Sequence, residues 1–557
     1  PALARPSFLD AVVTVTTTDD ELNTDGDCSL REAIRATNLD SAVDACAAGS
    51  ADDVIELQAA TYSLSLAGQN DDAGLTGDLD IAGSLTLSVV GAETALLDGQ
   101  QLDRVLDVRP GAELTLANVT VLNGLAIDHS GGGITNAGTT TLIKSTVTGN
   151  TVDGDVPPGP PYPVGGGIYN SGTMTLIEST IRDNTVSLGF SVAPTNTANA
   201  GGGIFSIGTL TVIRSNISEN FGMFGAGIFS TGTLHLSDSS IHTNGVVGLS
   251  SAGGGIYNMG SGSATISNSL IVNNSAGGRD STSGGGIVNE GEMLISTSTI
   301  STNRATAMMD GGGAGGGIWN GSDGQLTLDR STVSANFASG AYIGSGYGGG
   351  IANLGRLVVT NSTISGNSTG AEGGGLGGST SGGIWNWRGR IELSSTTISA
   401  NLVAYSPEHG PRGAGIDNWS GEVTLLNTLI AGNTDDRGQP ADCSGQYVSQ
   451  GYNLIQTTSD CAITGTTTGN LLNVAPDLES LRDNGGPTPT HALLRSSPAI
   501  DTGSPQSCPT IDQRGVDRPR DGDGRGQIRC DIGAYEREGV WLMQREQYLP
   551  FVVQAGP

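Results

Sequence analysis

The chain has 557 residues, of which 88 are glycine, 14% are charged and only 4% are aromatic, against roughly 7% glycine and 25% charged residues in ordinary globular chains. That composition excludes a conventional helical or α/β enzyme, because Gly and the β-branched Thr, Ile and Val are poor helix formers and Ser, Thr and Asn compete with helical hydrogen bonds. With 25 basic against 55 acidic residues the formal net charge is -30, which repels phosphate backbones and anionic lipid and argues against a nucleic-acid or membrane-surface partner. No apolar run is long enough to span a bilayer.

In chain order, an N-terminal extension and cap occupy residues 1–52. Within them Thr24 to Asn38 reads TDGDCSLREAIRATN, with Leu30, Ile34 and Thr37 at helical spacing and Glu32 near the start, so a short amphipathic helix is expected there. The stretch resembles the CSLREA domain, named for Cys28 to Ala33, which precedes β-helical repeats in bacterial surface proteins. Residues 53–130 follow as less regular strand-rich coils, from Val54 to Leu57 through Leu114 to Val121.

Residues 131–434 repeat one pattern ten times: a glycine cluster, Ile, any residue, Asn or Ser, alternating apolar positions, then Ile or Val followed three later by Asn. The anchoring isoleucines run from Ile134 to Ile416 and the second asparagines from Asn150 to Asn433. Period-two apolar positions such as Met174 and Leu176 mark strands with one buried face. Strands this short, about three per repeat, cannot bury that face alone but can stack on the same strand of the next repeat. The expected fold is therefore all-β: a single-stranded right-handed parallel β-helix of the pectate-lyase-like class, with corner glycines at positive φ and inward asparagines bonding along the stack. About 13 turns at a strand spacing of ~4.8 Å would make a rod roughly 60 Å long.

Residues 435–475 read as the last coils, 476–537 as a C-terminal region that closes the rod, and 538–557 as an apolar tail. The six cysteines form three sequence-local pairs, Cys28 with Cys46, Cys443 with Cys461, and Cys508 with Cys530; nearest-neighbour bonding is the expectation among fifteen possible pairings. Such staples point to an oxidising, extracellular or cell-surface location, reached with a leader already removed. DNGGPTPTHALLRSSPAID, from Asp483 to Asp501, and CDIGAYE, from Cys530 to Glu536, resemble the choice-of-anchor Q domain of secreted or surface-attached bacterial proteins. The GGGI and IxxN pairs are similar to the GGAI and FxxN repeats of polymorphic outer-membrane adhesins, with Ile or Val in place of Phe. These resemblances imply a surface-located β-helix and no particular reaction.

No acid recurs at one position of the regular repeats, so no catalytic residues are assigned. The slot after the anchoring Ile instead carries Tyr169, Phe205, Phe229, Tyr257, Trp319 and Trp385. Pointing outward, these could stack on sugar rings; covered by the corner loops, they would form a second apolar strip. Asp417 occupies the slot once, and Asp435 with Asp436 is an isolated acidic pair. Asp517, Asp521 and Asp523 in DRPRDGDGRG suggest a calcium loop, the one cofactor the sequence hints at, although Arg525 stands where an oxygen ligand is wanted. Outside the caps, Phe8 and the tail residues Tyr548, Leu549, Phe551, Val552 and Val553 suit strand addition between subunits, head to tail. The resulting expectation is a non-catalytic structural protein or adhesin whose partners are further copies of itself or glycans. The alternatives are a calcium-dependent polysaccharide lyase, an acid-pair glycosidase and a glycan-binding module.

Overall fold

The computed structural model describes residues 11–69, 71–91, 93–154, 162–188, 199–308, 311–341, 344–372, 378–405 and 412–539. Its strands pair in parallel into three sheets of 26, 15 and 13 strands, the arrangement of a β-helix. One coil shows the plan: Ile168–Asn170 and Thr173–Ile177 lie in the first sheet, Thr180–Arg182 in the second and Thr185–Leu188 in the third. Each coil thus has four short strands rather than three, because the Ser171–Gly172 bend is shallow enough to leave both of its flanking strands in one sheet. The fifteen strands of the second sheet correspond to a stack roughly 70 Å long at ~4.8 Å per coil.

The anchoring isoleucines stack as the repeat requires. Ile134, Ile168, Ile204 and Ile228 are successive partners in the first sheet and are fully buried. The column begins earlier, at Leu79 and Leu106, and ends at Ile416 and Cys443. The glycine cluster has a separate reason at each position, as Gly165 to Gly167 show. Gly165 has φ +73°, a Cβ on Gly166 would lie 2.5 Å from the Gly202 carbonyl oxygen, and one on Gly167 would lie 2.8 Å from the Asn184 side chain. The coils therefore pack backbone to backbone at this corner.

The second asparagine series is an unbroken internal ladder. The Asn150 side chain donates to Asn184 Oδ1 at 2.9 Å, Asn184 to Asn220 at 3.0 Å, and so on to Asn401, which donates to Asn433 at 2.9 Å. A further ladder runs from Ser145 to Ser362, each hydroxyl oxygen accepting the backbone N–H of the equivalent residue one coil earlier, as in Ser145 N–H to Ser179 Oγ at 3.1 Å and Ser331 N–H to Ser362 Oγ at 3.0 Å. The residue before each rung turns the corner at positive φ. Glycine does so at Gly149 and Gly432, but Lys144, Arg214, Thr243, Ala335 and Ala400 hold the same conformation.

At the N-terminal end the helix Leu30–Asn38 is capped by Ser29 and Glu32 in a reciprocal capping box, and it buries Leu30, Ala33 and Ile34 against the first coils. The strand Ala11–Thr14 pairs with Asp52–Leu57 beneath it. All three disulfides join the expected neighbours, Cys28 with Cys46, Cys443 with Cys461, and Cys508 with Cys530.

The C-terminal region lies along the flank of the second sheet. Thr332 Oγ1 donates to the Pro489 carbonyl at 2.7 Å, Thr363 Oγ1 to Gln513 at 2.6 Å, and Thr397 Oγ1 accepts from Ala534 N–H at 3.0 Å. Ser365 Oγ meets His491 Nε2 at 2.8 Å, and Leu429 packs with Leu493, Ala499 and Ile532. The expected closing cap is thus a lateral buttress across four coils, recruited by outward Thr and Ser side chains that offer it hydrogen bonds. Phe8 and the tail from Tyr548 to Val553 lie outside the described residues.

Two substitutions test the ladder. Asn303→Ala removes the acceptor for the Asn274 N–H and side chain and the donor to Ile271 and Asn336. It should lower stability by about 3 kcal/mol or more, since each buried group left unpaired costs roughly 1–3 kcal/mol. Ala335→Gly should instead raise stability by about 0.5–1 kcal/mol, because Ala335 sits at φ 54°, a region that costs an L-residue roughly 1–2 kcal/mol. Chemical denaturation of both variants reads the two signs.

Candidate functional site

The outward slot after the anchoring Ile forms one column along the first sheet, and its chemistry changes in three steps. Through the coils at Thr135, Tyr169, Phe205, Phe229, Tyr257, Val288, Trp319, Ala352, Trp385, Asp417 and Ser444 the slot residues are register partners.

In the middle the aromatics stack on each other. Phe205 and Phe229 lie 5.0 Å apart at 4°, and Phe229 and Tyr257 4.9 Å apart. Corner-loop residues Val164, Ala200 and Phe224 cover them, leaving Phe205 at 6%, Phe229 at 0% and Tyr257 at 2% exposure. The outward sugar ladder is corrected accordingly. These rings, with the half-buried Tyr169 and Trp319 beside them, form the second apolar strip, because the loops between coils fold over a surface too apolar to leave in water.

Toward the N-terminus the same column carries acids that the sequence reading missed. Asp80 and Asp107 are register partners, and Asp107 continues the column into Thr135. Carboxylate oxygens of Asp78, Asp80 and Asp107 lie within 4.8 Å of one another, and Asp103 joins them from the neighbouring loop. All four side chains are buried. Arg104 pairs with Asp78 and approaches Asp107 at 3.4 Å, while Arg109 contacts Asp80 at 2.8 Å and Asp107 at 3.5 Å. Burial pushes Asp78 up to about 7 against the pull of Arg104, and Asp80 up to about 6 against the pull of Arg109. The legible signal was the pair of tripeptides Leu79-Asp80-Ile81 and Leu106-Asp107-Val108, which match Ile-x-Asn in register but lack the glycine cluster that marks the later coils.

At the other end the column opens. The strand Ile384–Ser394 runs eleven residues where other coils bend, and Ile416–Leu426 repeats this. Period two along the first residues of Ile384–Ser394 puts Trp385 and Trp387 on one face, with ring centroids 5.8 Å apart, ahead of a bulge in which Arg388 has φ 67°. Tyr347 stands 4.7 Å from Trp385, and Trp419 completes a cleft of about 400 Å³ that Thr380 also lines. Of the six slot aromatics, Trp385 is the one that lines this cleft. Asp417, one coil on, is buried against Ser444 Oγ at 2.6 Å with Arg412 at 3.8 Å. Asp435 is held by Arg437 at 2.7 Å, and Asp436 accepts the Tyr405 N–H at 3.1 Å.

The calcium loop is also rearranged. Asp521 and Asp523 meet Asp501, whereas Asp517 is exposed elsewhere, because its backbone is committed to a bridge with Ile511. Asp501 accepts from Gly522 and Asp523 N–H at 3.0 Å each, and Asp521 from the amides of Gly524, Arg525 and Gly526. These bonds hold Asp501, Asp521 and Asp523 with carboxylate oxygens within 4.8 Å of one another, and Arg525 Nε lies 3.4 Å from Asp523.

No family model and no curated protein matches the sequence. Among solved structures, the crystal structure of pectate lyase Pel9A aligns over 95% of this chain and 96% of that chain, at 13% identity and a TM-score of 0.24. No helix among the described residues is long and apolar enough to cross a membrane.

The aspartate cluster makes a signed prediction. Asp78 and Asp80 hold protons more tightly folded than unfolded, so the stability they contribute is complete below the ordinary carboxylate range and is lost as pH rises through about 6 and 7. Hydrogen exchange at the Leu79–Ile81 amides should show protection falling between about pH 4 and 7 and level above, by up to about 1.4 kcal/mol per pH unit for each proton released. Asp78→Asn should flatten most of that slope.

Proposed function

We propose that this chain is a non-catalytic structural rod of the extracellular surface. One observation carries the reading: the outer column of the first sheet is covered by loops over its middle coils. Its acids, Asp80, Asp107 and Asp417, are buried, and each has an arginine within 4 Å. The side-chain ladders and three disulfides suit a body whose task is to persist and to hold a shape. The disulfides fit an oxidising compartment. Assembly of such rods head to tail through Phe8 and the tail from Tyr548 to Val553 extends this reading, as do the CSLREA-like and choice-of-anchor-like ends, which suit surface attachment.

The purified protein incubated with neutral and acidic polysaccharides, with and without calcium, should release neither reducing ends nor unsaturated products. Reproducible turnover abolished by Asp80→Asn or Asp107→Asn would overturn the reading. Light scattering and electron microscopy of the full chain, against a chain lacking Gly539 to Pro557, check the assembly; end-to-end filaments are expected of the first and not of the second.

A further inference from the structure

We propose that His491 is an acid-sensitive latch: neutral, it holds the C-terminal region against the second sheet, and its protonation loosens that attachment. This adds a response to protons to the structural role above and does not depend on it. Of the histidines in the described residues, His129, His235, His242 and His491, only His491 is buried, at 4% exposure. It sits where two separate parts of the chain meet. On its own side are two extended stretches bridged at Leu478 with Leu493 and at Arg482 with Thr490. On the other is the strand Thr363–Ser365 of the second sheet.

The hydrogen bonds fix which ring nitrogen carries the proton. Nδ1 lies 2.7 Å from the Glu479 carbonyl oxygen, and a carbonyl only accepts, so Nδ1 is the N–H. Nε2, 2.8 Å from Ser365 Oγ, is then the bare nitrogen of a neutral ring and accepts from the Ser365 hydroxyl, a residue only 1% exposed. A second proton on the ring would set an N–H against that hydroxyl hydrogen. Ser365 would have to turn and accept, which ends its donation across the junction, and a cation would be left in a place shielded from water.

The charges near the ring come from one side only. From the sheet, Ser365, Ser399, Ala431 and Gln456 face the ring or the small cavity beside it, and none is charged. From the C-terminal region Asp477 and Glu479 line that cavity. Asp477 is exposed, the Glu479 carboxylate is paired with Arg482, and Arg537 donates to the Leu493 carbonyl at 2.8 Å, two residues along the chain. The neighbouring junction bonds, Thr332 to Pro489 and Thr363 to Gln513, join uncharged groups and do not titrate.

Burial holds His491 below the ordinary histidine range, against the pull of the Glu479 carbonyl. Freed, the ring takes a proton at about pH 6.5; docked, it does so only at lower pH. The attachment is therefore complete above the ordinary histidine value and is lost as pH falls below it. The buried acids Asp501, Asp531 and Glu536 of the same region are pushed up by burial, so acidification favours their folded state. Loosening on acidification thus has the sign of the histidine and not of these acids.

The test is hydrogen exchange by mass spectrometry on the full chain at about pH 7.5 and about pH 5, on either side of the free histidine value, corrected for the intrinsic pH dependence of exchange. An NMR titration of the histidine Cε1–H signals accompanies it. Protection of residues 477–493 should fall by about tenfold on acidification, the factor expected of one buried hydrogen bond lost, while the coils from Ile134 to Ile256 keep theirs. His491→Asn retains a donor near the Nδ1 position without a titrating ring, and should show no such fall. The inference is overturned if the His491 signal titrates at or above about 6.5, if protection of residues 477–493 is equal or higher at the lower pH, or if His491→Asn retains the fall. The titration reads the parent chain and decides the matter even where the substitution disturbs folding.

Discussion

The regular coils hang on the asparagine that follows the corner residue in each of them, from Asn150 to Asn433. A corner brings backbone N–H and C=O groups into the interior, where water cannot reach them and an unpaired group is costly. The carboxamide resolves this because it both accepts and donates: Asn303 accepts from the Asn274 backbone and side chain, and donates to the Ile271 carbonyl and to Asn336. Every rung points the same way, so each polarises the next. The run ends at Asp442, which accepts from Asn433 at 2.9 Å and at 3.1 Å from its N–H. An ionised carboxylate has no proton to pass on, so Asp can end such a ladder but cannot continue it.

That interior regularity leaves the exterior free. The isoleucine and asparagine columns fix coil height and width, while the slot between them touches only its register neighbours and whatever the adjoining loops bring. Acids with arginines fill the slot near the N-terminal cap, stacked aromatics under loops fill the middle, and tryptophans in an open cleft lie beside the last coils. Ala200 and Phe224 pack over Phe205 to Tyr257, whereas the strand Ile384–Ser394 continues through a bulge where other coils bend.

The ends of the rod follow a different logic. The N-terminal helix buries Arg31 at 1% exposure and spends its guanidinium on Asp20 and on the carbonyls of Gly77 and Asp78, which ties the cap to the loop that positions the aspartate cluster. The C-terminal region carries its own buried ion pairs, such as Arg518 with Glu536 at 3.3 Å and Arg514 with Asp512 at 2.9 Å. It attaches to the coils mainly through hydroxyl and amide groups on the outer face of the second sheet.

The amino-acid order alone determined the solenoid, its interior columns, the capping helix and the three disulfide pairs. Each of these is local or strictly periodic: Ile134, Ile168 and Ile204 stack because the same constraint recurs in every coil, and Cys28 finds Cys46 because the loop between them is short. Register across irregular spacing was not legible, so Asp80 and Asp107 went unseen without a glycine cluster to mark their place. Nor was long-range docking, which carried Gln513 to Thr363 and Asp501 to Asp523 while leaving Asp517 outside. The fate of the slot aromatics belonged to tertiary structure most of all. Phe229 and Trp385 hold the same position in the repeat, and only the tertiary structure buried the first, under Val164, Ala200 and Phe224, and left the second lining a cleft.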